Sequence, residues 1–109
     1  MKISYKQLVK VATEQGWEVF PDKDVIDLRI YSPAGEDFGF SIDRNKDYIE
    51  QIEDFEDNFD PDEHAEQWFR LSVEEKARMG VPPVSVLVED AKDIKQMLVD
   101  LVNAVNGLV

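Results

Sequence analysis

A chain of 109 residues with 24 Asp and Glu against 12 Lys and Arg carries a net charge of −12, and this one has no cysteine. The length fits one domain over residues 1–109, and the missing thiols exclude disulfides, thiolate zinc sites and a cysteine nucleophile. So large a negative charge repels phosphate backbones and anionic lipids, which argues against direct nucleic-acid or membrane binding and for a basic partner.

With 43% hydrophobic residues the chain has enough apolar surface to fold. Lys2, Lys6 and Lys10 interrupt every apolar run at the start, so no signal peptide or membrane span is expected there, and a cytoplasmic location follows by default. Ser4 and Gln7 form a capping box, Leu8, Val11 and Ala12 recur at helical spacing, and Gly16 suits the residue after a helix end. The first helix is therefore placed at about residues 5–15. From Trp17 the period changes to two. Trp17 and Val19 alternate with Glu18, turn residues follow at 20–24, and Ile26, Leu28 and Ile30 alternate with Asp27 and Arg29. Ser32-Pro33-Ala34-Gly35 supplies a second turn, after which Phe38, Phe40 and Ile42 alternate with Gly39, Ser41 and Asp43. The six apolar residues should share one buried face, with Asp27, Arg29, Tyr31, Ser41 and Asp43 on the other. Gly39, between two Phe, points to a close backbone approach or a bulge.

Asp47 and Glu50 form another capping signal, and Ile49, Ile52, Phe55 and Phe59 keep a helical stripe, which predicts a helix over 47–58. Asp60-Pro61-Asp62-Glu63 reads as an N-cap, a proline in the first turn and acids facing the positive end of a helix dipole. That helix should bury Ala65, Trp68 and Phe69. Residues 72–83 read as a short helix and a rigid loop closed by Pro82 and Pro83. From Val84 the residues Leu87, Ala91, Ile94, Leu98, Leu101 and Val105 trace a helical seam, although the β-branched opening at 84–88 also fits a strand and a break near Asp90 fits the pattern. The expected fold is α+β: a three-stranded antiparallel β-meander with helices packed on one face, in the order α-β-β-β-α-α-α. The expected core is Trp17, Ile26, Leu28, Ile30, Phe38, Phe40, Ile52, Phe55, Phe59, Trp68, Leu87, Ile94, Leu98 and Leu101.

Charge is concentrated in the middle of the chain. Residues 1–35 hold five acids and five bases, residues 36–69 thirteen acids and two bases, and residues 70–109 six acids and five bases. Between Glu50 and Glu66 stand Glu50, Glu53, Asp54, Glu56, Asp57, Asp60, Asp62, Glu63 and Glu66, with neither Lys nor Arg among them. At about 1.5 Å of helix rise per residue this is roughly one carboxylate per 2.7 Å, against one phosphate per about 1.7 Å of duplex DNA. These nine are the candidate partner-binding residues.

Other chemistries fit poorly. Calcium loops opened at Asp54 or Asp60 would put Phe59 or Ala65 where glycine belongs, and Ala65 or Leu71 where the bidentate Glu belongs. His64 has no second His or Cys to build a zinc site with, and is expected to pair with Asp60 or Glu66 on a helix surface. No phosphate-binding glycine loop and no nucleophile elbow is present. No catalytic residue, metal or cofactor is expected, and the chain reads as a non-enzyme.

The stretches YSPAGEDF (31–38), FDPDEHAEQW (59–68) and the segment from GVPP to VEDAKDIKQML (80–98) resemble short acidic proteins of prophages and other mobile elements of gut Firmicutes, which bring no activity with them. Element order and charge are similar to those of one small anti-CRISPR family that blocks Cas9 by imitating DNA. That likeness implies a DNA mimic inhibiting a nucleic-acid-binding defence protein, and it carries over no site residue. Two function classes follow. The first is an acidic interaction protein whose partner is basic and binds nucleic acid. The second is a ligand-binding or self-associating domain with a merely solubilising acidic face, forming a homodimer along residues 84–109, where Val86, Val99, Leu108 and Val109 fall outside the seam.

Overall fold

In the computed structural model, which describes residues 2–67 and 84–109, the order begins with α1 (Tyr5–Glu14), β1 (Glu18–Pro21), β2 (Val25–Tyr31) and β3 (Asp37–Asp43). It continues with α2 (Tyr48–Asn58), helical residues 61–67 as the described part of α3, and α4 (Val84–Asn106). The expected α+β meander is what forms. The sheet order is β1-β2-β3, both pairs antiparallel, and Trp68, Phe69 and residues 72–83 lie outside the described residues.

Local chemistry sets most element ends. Ser4 Oγ accepts from Gln7 N at 3.1 Å while Ser4 N donates to Gln7 Oε1 at 2.8 Å, the reciprocal box read from sequence. Gly16, at φ 92°, ends α1 in the left-handed region that only glycine enters freely. The β2–β3 turn uses Pro33 in second place, with Gly35 N donating to Ser32 O at 2.9 Å and Gly35 at φ 91°. Asp60 Oδ1 accepts from Asp62 N at 3.0 Å, and His64 N reaches Asp60 O at 3.0 Å, so α3 starts as its sequence predicts.

The inner sheet face carries Ile26, Leu28, Phe38, Phe40 and Ile42, all buried, with Val19 and Ile30 half-buried beside them. Against it α4 lies between α1 and α2 and buries Ile94, Leu98, Leu101 and Val105, while Ile52 of α2 and Leu8 of α1 close the same core. Phe55 stacks on Phe40 at 4.3 Å and Phe59 meets Phe38 edge-on at 5.6 Å, yet Ile30, Phe55 and Phe59 stay half-buried because each lies at a margin of the layer. Trp17 is 2% exposed and its Nε1 has no hydrogen-bond acceptor among the described residues. Its ring sits perpendicular to Phe40 at 5.6 Å, an edge-to-face contact that offsets part of that cost. A small second cluster joins Ala65 of α3 to Leu87 and Ala91 of α4.

Residues 84–91 are helical, not strand, and α4 runs on past Asp90 without a break. Periodicity decides the matter over β-branching: Leu87, Ala91 and Ile94 make one buried line only on a helix, and Asp90 adds to it at 3% exposure. Gly39 serves close approach. A Cβ there would stand 3.0 Å from both Leu28 O and Arg29 Cγ, while the β2–β3 register stays regular throughout. Gly39→Ala should therefore cost about 1–3 kcal/mol in urea unfolding, since the backbone oxygen cannot move aside.

Candidate functional site: the acidic helix and the groove beside it

Helical spacing puts Glu50, Asp54 and Asp57 on one outward stripe of α2, all exposed. About 10 Å of helix axis separates the first from the last, a length over which one strand of duplex DNA carries about three phosphates. Asp60, Asp62, Glu63 and Glu66 are exposed along the turn and α3. Glu53 and Glu56 reach side chains of α4, while Asp60 accepts from Asp62 N and Glu63 from Gln67 Nε2 within the turn and α3. Glu53 is half-buried and accepts from Asn106 Nδ2 at 2.8 Å, and Glu56 turns toward α4, where Lys95 Nζ lies 3.3 Å from its Oε1 and also donates to its backbone carbonyl. The chain brings seven candidates to the solvent side and directs Glu56 inward.

The placement of the outward acids works against helix stability. Asp57 stands in the last turn of α2, at the negative end of the helix dipole, and that turn contains no basic residue. Glu50 is the only one of the α2 acids in the favourable first turn.

Alongside α2 runs β3, one of the two edge strands of the sheet. A groove of about 320 Å³ between them is lined by Ser41, Ile42, Gln51, Asp54, Phe55 and Asn58. A second one, of about 200 Å³, adjoins it through Phe55 and Asn58 and adds Asp60, Glu63 and His64. No family model, curated protein or solved structure matches the chain. The site is therefore read from its own geometry.

His64 does not pair with Asp60 or Glu66 as expected. Its Nε2 lies 2.8 and 3.0 Å from the two oxygens of Glu36, and its ring packs against Phe38 at 5.6 Å and Phe59 at 5.2 Å. The carboxylate can only accept, so Nε2 carries the hydrogen. The aromatic pair draws the ring to the sheet, where Glu36, 28 residues earlier, is the acceptor within reach.

Asp90, near which a break fits the sequence pattern, lies within the unbroken α4. It is 3% exposed, accepting from Ser32 Oγ at 2.6 Å and from Ala34 N at 2.9 Å, and Ser32 Oγ in turn accepts from Glu36 N at 2.9 Å. The β2–β3 turn is thereby fastened to α4. Among the described residues no three His, Asp or Glu side chains form a group able to hold a metal ion, and no helix is long and apolar enough to cross a membrane.

Proposed function

We propose that this is a non-enzymatic interaction protein whose α2 and α3 carboxylates imitate a phosphate row and engage a basic, nucleic-acid-binding protein, so that the partner is kept from its nucleic acid. The observation that carries the reading is the outward stripe Glu50, Asp54 and Asp57, continued by Asp60, Asp62 and Glu63, with neither Lys nor Arg between residues 48 and 67. A helix face that only solubilised the domain would gain from Lys near its C-terminal end, through both the dipole and i,i+4 pairs. This one has Asp57 there instead.

The resemblance to a DNA-mimicking anti-CRISPR family in order and charge supports the same reading. Self-association through residues 84–109 has less to build on. Val86 and the pair Leu108 and Val109 are exposed, but Val86 sits near the start of α4 and the pair just past its end at Asn106, about 30 Å of helix further on, while Val99 between them is half-buried and the seam is buried in the chain's own core.

The test is capture from a host lysate followed by mass spectrometry. A basic nucleic-acid-binding protein should be retained at about 50 mM salt and lost by about 200 mM, where screening over roughly 8–10 Å weakens every exposed charge pair. A retained protein indifferent to salt, or none, would remove the proposal.

A further inference from the structure

Among the described residues, the β3 edge of the sheet is capped at Asp43 alone. In an antiparallel pair, successive residues point their N–H and C=O groups alternately at the neighbouring strand and away from it. Ser32 N donates to Glu36 O, which sets the even-numbered residues of β3 toward β2, and Gln51 bonds Asp43 N at 2.6 Å and Asp43 O at 2.9 Å from the opposite side. The odd-numbered residues Asp37, Gly39, Ser41 and Asp43 therefore face outward. Gln51 satisfies the last of them, standing in for a strand. The outward backbone groups of Asp37, Gly39 and Ser41 have no partner among the described residues, and all three residues are exposed. Proline, lysine and bulges protect many edges, and from Asp37 to Asp43 this one has none of them; its charges are the acids Asp37 and Asp43, which repel anionic chains and admit a basic one.

We infer that the β3 edge accepts an extended, basic polypeptide segment of the partner by strand addition, its backbone pairing with Asp37, Gly39 and Ser41 and its cationic side chains reaching the acids of α2 and α3. Charge selects this occupant. The groove along the edge carries Asp54, and the adjoining one carries Asp60 and Glu63. A second copy paired edge to edge would bring two base-free α2 helices together, whereas a chain with Lys or Arg at alternate positions would place opposite charge beside them. The inference rests on the acidic-partner reading and adds to it a backbone ladder, a feature that carboxylates alone do not require.

The probe is a fluorescein-labelled peptide of nine residues alternating Lys and Val, used with the whole protein at about 50 mM salt. Two further peptides carry N-methyl groups on every Lys nitrogen or on every Val nitrogen. Only one set of nitrogens can face β3, so one methylated peptide should lose at least about tenfold in affinity and the other should stay within about threefold. Hydrogen exchange at Gly39 and Ser41 should slow at least about tenfold on saturation. If both methylated peptides bind like the parent and those amides exchange as in the free protein, strand addition is wrong while carboxylate recognition stands. If a Thr and Val peptide binds as tightly, the basic character of the occupant is wrong. Failure of every peptide to bind would overturn strand addition and leave the lysate capture to judge the acidic reading separately.

Discussion

Asp90→Ala should lower the unfolding free energy by about 2–4 kcal/mol in urea titration. The carboxylate is 3% exposed and accepts two hydrogen bonds at 2.6 and 2.9 Å, both to the β2–β3 turn. Hydrogen bonds to a charged acceptor contribute about 1.5–3 kcal/mol each, and removing the acceptor leaves the buried Ser32 hydroxyl and the Ala34 N–H to find others. Against this stands the relief of no longer burying a carboxylate that has no cation beside it among the described residues. The two donors left without their acceptor outweigh that relief, so the single substitution stays destabilising. Asp90→Asn keeps one acceptor oxygen but turns an NH2 group on the remaining donor, which should cost about 1–2 kcal/mol. Ser32→Ala should fall in the same range, because it removes a donor to Asp90 and the acceptor for Glu36 N together. A loss under about 0.5 kcal/mol for Asp90→Ala would mean that the turn is held by its own backbone bonds.

The same contact shows what a sequence can and cannot reveal. The three strands, the cap at Ser4, the start of α3 at Asp60 and the buried face from Ile26 to Ile42 were all legible, because each follows from spacing or from a side chain acting within four residues of itself. Asp90 and His64 were not. Their partners lie 58 and 28 residues away, and nothing in periodicity distinguishes an acid that turns in to cap a distant loop from one that faces water. Glu56 belongs with them: by composition it is one more member of the acidic run, and only the approach of α4 gives it Lys95. The spacing of Glu50, Asp54 and Asp57 is a local property, but counting acids along the run sets them with Glu53 and Glu56, and only the packed helix separates the outward stripe from those two. Gln51 could not be read either, since its role depends on the edge of β3 lying beside α2.

Gln51 offers a separate check on that edge. Gln51→Ala removes bonds to Asp43 N and O and to Asp47 O, and should destabilise the fold by about 1–2 kcal/mol while opening a fourth outward position at Asp43. Faster hydrogen exchange at Asp43, with little change at Ile42, would report the opened position, whereas unchanged exchange at both would mean that Gln51 does not cap the edge.

Neutralising the outward stripe should separate binding from stability. The variant Glu50→Gln, Asp54→Asn, Asp57→Asn removes three exposed carboxylates that touch none of the apolar stripe. If each meets one basic side chain at a solvent-exposed contact contributing about 0.5–1 kcal/mol, the captured partner should bind about tenfold to a hundredfold more weakly, with a shallower dependence on salt. Stability should move the other way, rising by a few tenths to about 1 kcal/mol, because like charges at i,i+3 and i,i+4 repel and Asp57 opposes the dipole. Glu56→Gln makes the same kind of change one step around the helix and serves as the control. Its carboxylate meets Lys95 at 3.3 Å, so its loss should cost about 1 kcal/mol of stability and leave partner affinity within about twofold. Adding Glu53→Gln to the triple variant should subtract less than any outward member, since Glu53 is half-buried and already holds Asn106. Calorimetric titration at two salt concentrations, paired with urea unfolding of each variant, reads both quantities. A loss for Glu56→Gln of about a third of the triple's, in binding free energy, would show that net charge, and not the stripe, governs recognition, and the imitation of a phosphate row would have to be given up.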